Sequence, residues 1–155
     1  SIFCDIHFSI ISNGIHITPY DGLHSIIDIS DTVRGIPAAG YLVDFNGKRW
    51  LFPGDTRTYD ASPIPDFGQL DGLFAHLWLG RGCALLDFPP LLKSFCHFFA
   101  SQQPGSIILT HLMEFGRAAD EYWDVSHAQK VISFYQANYN HVELSYALMG
   151  QTIFL

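Results

Sequence analysis

Three short stretches combine residue types that could activate water or hold a metal ion. Residues 50–57 read WLFPGDTR, an apolar run that stops at Pro53-Gly54 and then offers Asp55. Residues 106–111 read SIILTH, a second apolar run that ends directly at His111. Upstream, HITPYDGLHS leads from a β-branched stretch into a loop carrying His24. An Asp after Pro-Gly commonly bonds backbone amides and tightens a turn. Strand ends on a rigid sheet are also where catalytic carboxylates and metal ligands are placed. If these strands lie side by side, their C-terminal ends deliver His24, Asp55 and His111 to one pocket. Imidazole nitrogen and carboxylate oxygen bind zinc at about 2.0–2.2 Å. A carboxylate can also bridge two metals about 3.5–4 Å apart.

The elements that must position these residues follow from pattern. Residues 1–11 alternate and are rich in β-branched and aromatic residues, which predicts a strand. Asn13-Gly14 predicts a hairpin turn, and residues 15–18 its return strand, ended by Pro19. Residues 20–36 read as a loop with room for a short strand. Residues 39–45 and 48–52 predict a second hairpin about Asn46-Gly47, followed by a breaker-rich loop over 53–69. Residues 70–79 predict a strand buried on both faces, broken by Gly80-Arg81-Gly82. Residues 91–102 have helical apolar spacing after Pro89-Pro90, and residues 106–110 predict a strand. A loop over 112–123 precedes a helix capped by Asp124 or Ser126 and running to about Tyr139. Residues 142–148 and 152–155 read as closing strands around Gly150. Hairpins followed by strand–helix units predict an α/β (α+β) chain, a mixed sheet layered with helices.

Composition bounds the function. At 155 residues the chain is expected to be one domain, 1–155. It is 48% hydrophobic and 15% aromatic, which rules out the composition of a disordered chain. No apolar run approaches the roughly 20 residues needed to span a bilayer, so no membrane association is expected. No basic n-region with a cleavage site is visible, and a cytoplasmic location is expected. The net charge is −7 and the eight Lys and Arg are scattered, which argues against nucleic acid as a partner and suits a protein that binds cations. Cys4, Cys83 and Cys96 are odd in number and lack CxxC spacing, so neither a disulfide framework nor a zinc ribbon is expected.

Taken together, HITPYDGLHS, GYLVDFNGKRWLFPGDT and IILTHL resemble the C-terminal half of the metallo-β-lactamase fold. In that superfamily a hairpin ends in a Gly-Asp-Thr whose Asp bridges two metals, and flanking motifs supply metal-ligand histidines. The resemblance extends over residues 14–155, and the closing MGQTIFL is similar to the superfamily's final Gly-containing strand. It implies half of a four-layer αββα sandwich, with His24, Asp55 and His111 as metal ligands. It further implies zinc, or iron or manganese, with two ions in a complete site. The implied activity is a metal-dependent hydrolase, in which metal-activated water attacks an ester, amide, lactone or phosphodiester of a small-molecule substrate. The superfamily's His-x-His-x-Asp-His cluster is absent from this chain. A partner is therefore expected: a complementary N-terminal half carrying that cluster, or a homo-oligomer. The alternative is a non-catalytic scaffold or binding module descended from the same fold.

Three further residues are candidates for substrate contact. His76 lies in DGLFAHLWL, where a core histidine or a pocket wall would fit. Arg117 lies on the loop after His111, and His127 in the first turn of the last helix, where a capping role competes.

Overall fold

A computed structural model describes residues 10–22, 26–27, 33–34, 38–60, 66–139 and 142–154. Nine strands and two α-helices are found among them: β1 (Ile10–Ser12), β2 (Ile15–Gly22), β3 (Ile26–Ile27), β4 (Val33–Arg34), β5 (Ala38–Phe45), β6 (Lys48–Phe52), β7 (Gly72–His76), α1 (Leu92–Ser101), β8 (Ser106–Thr110), α2 (Val125–Asn138) and β9 (Glu143–Tyr146). Seven of the strands form one mixed sheet in the order β1-β2-β5-β6-β7-β8-β9, and β3 pairs with β4 alone. The chain is thus an α/β structure, as expected, and is consistent with half of a sandwich.

The first half of the sheet is built from hairpins. Asn13-Gly14 and Asn46-Gly47 all take positive φ, which is the conformation of the tight turns that match strand twist. β1, β2, β5 and β6 are antiparallel. From β6 onward the pairing is parallel, β6 to β7, β7 to β8 and β8 to β9. Parallel neighbours need crossovers. Helix α1 fills the β7–β8 crossover and α2 the β8–β9 crossover. Both steps move the same way across the sheet, so right-handed connections put both helices on one face.

That face holds the core. Register aligns Leu42 with Leu51, Leu51 with Leu73, Leu73 with Ile107 and Ile107 with Leu144. Phe95 and Phe99 of α1 and Val131 and Tyr135 of α2 are buried in the same cluster. The opposite face carries Tyr41, Val43, Trp50, Phe52, Phe74 and Ile108, aligned by the same registers. Phe52 and Phe74 stack there at 4.5 Å and 11°. Trp50 spreads over Gly72, where an added Cβ would come within 2.0 Å of its ring. Tyr41 and Phe45 on this face remain exposed.

Several elements differ from the pattern reading. Pro19 does not end a strand; β2 runs on to Gly22, pairing Pro19 with Tyr41. β1 covers only Ile15 to Ile17, so at Pro19 one edge of β2 has no partner among the described residues, and a residue without an N–H is tolerated. β7 ends at His76 rather than running to Leu79. β9 covers only Glu143–Tyr146, and residues 152–154 form no strand. A 3₁₀ turn, Ala119–Glu121, interrupts the predicted 112–123 loop. Residues 1–9, most of the predicted first strand, lie outside the described residues. Among those described, no helix is long and apolar enough to cross a membrane.

Candidate functional site

Strands β6, β7 and β8 are parallel neighbours, so their C-terminal ends share one edge of the sheet. Carboxyl ends of parallel strands are where open α/β sheets bind ligands. β6 gives way to Asp55, β7 ends at His76, and β8 gives way to His111. Gly54 aims the first of these. Its φ is +70°, and a Cβ would meet the Ala39 carbonyl at 2.9 Å, so only glycine turns the chain this tightly. β2 runs in the same direction as β6 and ends at Gly22 on that edge. His24, two residues further on, lies outside the described residues.

The three side chains meet. The His76 and His111 rings pack with centroids 3.5 Å apart. His76 Nε2 lies 3.6 Å from Asp55 Oδ1, too long for a hydrogen bond. That nitrogen is buried and has no hydrogen-bond partner among the described residues. Burial first, then the neighbouring His111, pushes the His76 pKa down to about 4, so the imidazole is neutral at pH 7 and carries one lone pair. His111 takes a left-handed backbone, φ +65°, a conformation that costs a non-glycine residue about 1–3 kcal/mol and clusters at functional sites. Its Nε2 is 2.6 Å from Glu114 Oε2.

Each carboxylate in this group is paired with an arginine. Arg57 Nε donates to both Asp55 oxygens at 3.1 Å, and its Nη2 donates to Oδ2 at 2.8 Å. The Arg57 guanidinium also lies over the Trp78 ring, 5.3 Å from its centroid. Arg117 Nε donates to Glu114 Oε2 at 2.6 Å. That bond, with His111 acting in the same sense, holds the Glu114 carboxyl below its usual range. Tyr59 ties the Asp55 loop to the end of β7: its buried hydroxyl is 2.7 Å from the Trp78 carbonyl and 3.1 Å from that of Thr56.

Of the residues singled out from sequence, Asp55, His76 and His111 come together, and Arg117 joins them through Glu114. His127 is engaged elsewhere. Its Nε2 donates to the Ala84 carbonyl at 2.7 Å, and its Nδ1 forms a capping box with Asp124 at the start of α2. Arg57 and Glu114 were not assigned from sequence. The Asp-x-Arg spacing at 55–57 was the signal for Arg57, and the three-residue spacing from His111 that for Glu114.

Similar architecture recurs among solved structures. YhfI of Bacillus subtilis, a metallo-β-lactamase fold protein, superposes with a TM-score of 0.59 at 14% identity, over 93% of this chain and 51% of its own. Igni18, a metallo hydrolase of the archaeon Ignicoccus hospitalis, superposes with a TM-score of 0.55 at 17% identity, over 90% of this chain and 52% of its own. Over its own length this chain shares the metallo-β-lactamase fold, as half of the sandwich. CmlA, a diiron β-hydroxylase of Streptomyces venezuelae, shares it with a TM-score of 0.53 at 14% identity, over 88% of this chain and 31% of its own. The chain therefore spans between about a third and about half of these three proteins. No family model and no curated protein matches the chain in sequence.

The metallo-β-lactamase fold raises the question of a metal, and the donor set answers it in kind. A carboxylate, a left-handed histidine and a neutral buried imidazole nitrogen with no hydrogen-bond partner among the described residues are the kinds of donor that zinc and iron take. In number they fall short: among the described residues, no three His, Cys, Asp or Glu side chains are grouped so as to hold an ion. The residues present thus fit as part of a site.

Proposed function

We propose that this chain contributes half of a metal-dependent hydrolase site of the metallo-β-lactamase fold. Asp55 and His111, together with His24, would hold zinc, or iron or manganese, with two ions in the completed site. The bound metal supplies a water of lowered pKa and polarises the scissile carbonyl or phosphoryl group. The chain's own residues orient and neutralise. Gly54 and the Tyr59 hydroxyl fix the loop that presents Asp55. His76, neutral behind Asp55, walls the pocket without adding charge. Arg117 and Glu114 lie on the segment that follows His111 and are proposed to face an ester, amide, lactone or phosphodiester; His127, committed to Ala84 and the α2 cap, is not. The observation that carries this reading is the convergence of Asp55, His76 and His111 on one edge of three parallel strands.

The second reading is a scaffold descended from the fold, and one observation favours it: both carboxylates at the site are already paired with arginines. Either reading calls for a cover over the sheet face on which Tyr41 and Phe45 are exposed. We propose a complementary half carrying the His-rich cluster, or a second copy, in that role. Elemental mass spectrometry of the purified protein, with Asp55→Asn and His111→Asn alongside, tests the first reading. Near-stoichiometric zinc, iron or manganese that both variants lose would support it. No metal after reconstitution would leave the scaffold.

A further inference from the structure

Arginine is the one cationic side chain that cannot vacate a site by losing its proton. At the candidate site Arg57 grips Asp55 through both carboxylate oxygens, with contacts of 3.1, 3.1 and 2.8 Å. Forked contacts of this kind are the strong class of ion pair. The two side chains are only 18% and 27% exposed, so water screens the pair less than it would on an open surface. The oxygens that Arg57 occupies are those a divalent ion would need. In the same position the guanidinium lies over the Trp78 ring, 5.3 Å from its centroid, whose face attracts a cation and helps hold it there.

From this we infer that Arg57 is a built-in competitor for the metal: its guanidinium, held between Asp55 and the Trp78 ring, stands in for the cation at Asp55, and an ion gains that carboxylate only as Arg57 lets go of it. The inference rests on Asp55 being a metal ligand, as proposed above, and adds a control on how tightly the site binds. Such a device keeps the carboxylate neutralised while the site is incomplete. It also sets an affinity threshold below which stray cations are refused. Glu114 and Arg117 form a second pair beside His111, but that pair is more exposed and its carboxylate is not among the proposed ligands.

The test is a calorimetric titration of zinc into the metal-stripped 155-residue protein, comparing wild type with Arg57→Gln, Arg57→Lys, Asp55→Asn and, as a charge control, Lys130→Gln. Losing a partly buried ion pair from the metal-free state should tighten zinc binding about tenfold in Arg57→Gln, the change that 1.4 kcal/mol of relieved competition produces. Arg57→Lys, which keeps the charge but not the fork, should fall between, and Lys130→Gln should match wild type. Far-UV circular dichroism confirms that each variant is folded. If Arg57→Gln does not fold, the Arg57→Lys comparison decides. Zinc binding in the Arg57 variants that is no tighter than wild type, while Asp55→Asn weakens it, would overturn the competitor role and leave Asp55 as a ligand. Zinc binding indifferent to Asp55→Asn, or absent from every variant, would overturn both.

Discussion

Replacing Tyr59 by Phe removes a single oxygen from the link between the Asp55 loop and the end of β7. The Tyr59 hydroxyl has one hydrogen and two acceptors within reach, the Trp78 carbonyl at 2.7 Å and the Thr56 carbonyl at 3.1 Å. The shorter contact takes the proton. Both acceptors belong to buried residues, so the Trp78 carbonyl has no ready water to turn to. Losing one donor in that setting costs about 1–2 kcal/mol, within the range for a buried acceptor left unmet. The ring itself stays, and with it the edge contact to Phe95 at 5.5 Å and those to Phe98 and Phe99 at 5.7 and 6.1 Å. No cavity term is therefore added. Tyr59→Ala deletes the ring as well and should cost about 4 kcal/mol. Urea denaturation followed by tryptophan fluorescence measures both. For a chain of this size the Tyr59→Phe midpoint should fall by roughly 0.5–1 M with an unchanged slope. A Tyr59→Phe midpoint equal to wild type, beside a strongly destabilised Tyr59→Ala, would refute the reasoning, because the ring alone would then hold the loop.

Gly72→Ala should destabilise by about 1–3 kcal/mol, since the new methyl would stand within 2.0 Å of the Trp50 ring; thermal melting checks it, and restored stability in a Gly72→Ala, Trp50→Leu double variant would locate the clash. Asp124→Ala should cost about 1 kcal/mol by removing the cap of α2. The Asp124 pKa is lowered from 3.8: burial works to raise it, and the bonds from Ser126 and His127 outweigh that. A carboxylate depressed on folding contributes its stability above pH 3.8 and loses it as pH falls through the folded value. The gap between wild type and Asp124→Ala should therefore be widest near pH 7 and narrow by pH 3. Cys96 is fully buried and its thiol is pushed up to about 12 by burial, while burial first, and then Glu121, raises that of Cys83. In a Cys4→Ser background neither should react with a disulfide reagent at pH 8 until denaturant is added, and fast native-state labelling would contradict the packing described.

Turn chemistry carried most of what could be read in advance. Asn13-Gly14 and Asn46-Gly47 pinned two hairpins, and Pro89-Pro90 with Phe95 and Phe99 marked α1, because these signals are local. Strand ends were harder. Pro19 read as a stop because its missing N–H is visible in sequence, whereas the open edge that tolerates it is set by how far β1 pairs. His76 read as an interior strand position because apolar residues continue to Leu79, and only the pairing with β8 ends the ladder there. At the site, Asp55 and His111 were marked by their place after apolar runs. Arg57 escaped assignment because its role depends on distances to Asp55 and Trp78, and the latter lies 21 positions further along the chain. The register that lays the His76 ring on that of His111 is likewise a property of the sheet, not of either segment.

The change from antiparallel to parallel pairing at β6 also bears on how the site assembles. Within β1–β6 the β1–β2 and β5–β6 pairings close through the two-residue turns Asn13-Gly14 and Asn46-Gly47, so those contacts are near in sequence and form quickly. β7, β8 and β9 must each wait for a crossover to close. Asp55 leaves the last antiparallel strand, and His76 and His111 arrive with the parallel ones. The site therefore lies where antiparallel pairing gives way to parallel pairing, and it exists only once the crossovers to β7 and β8 have closed. Hydrogen exchange should show the amides around Asp55 gaining full protection no earlier than those of β8.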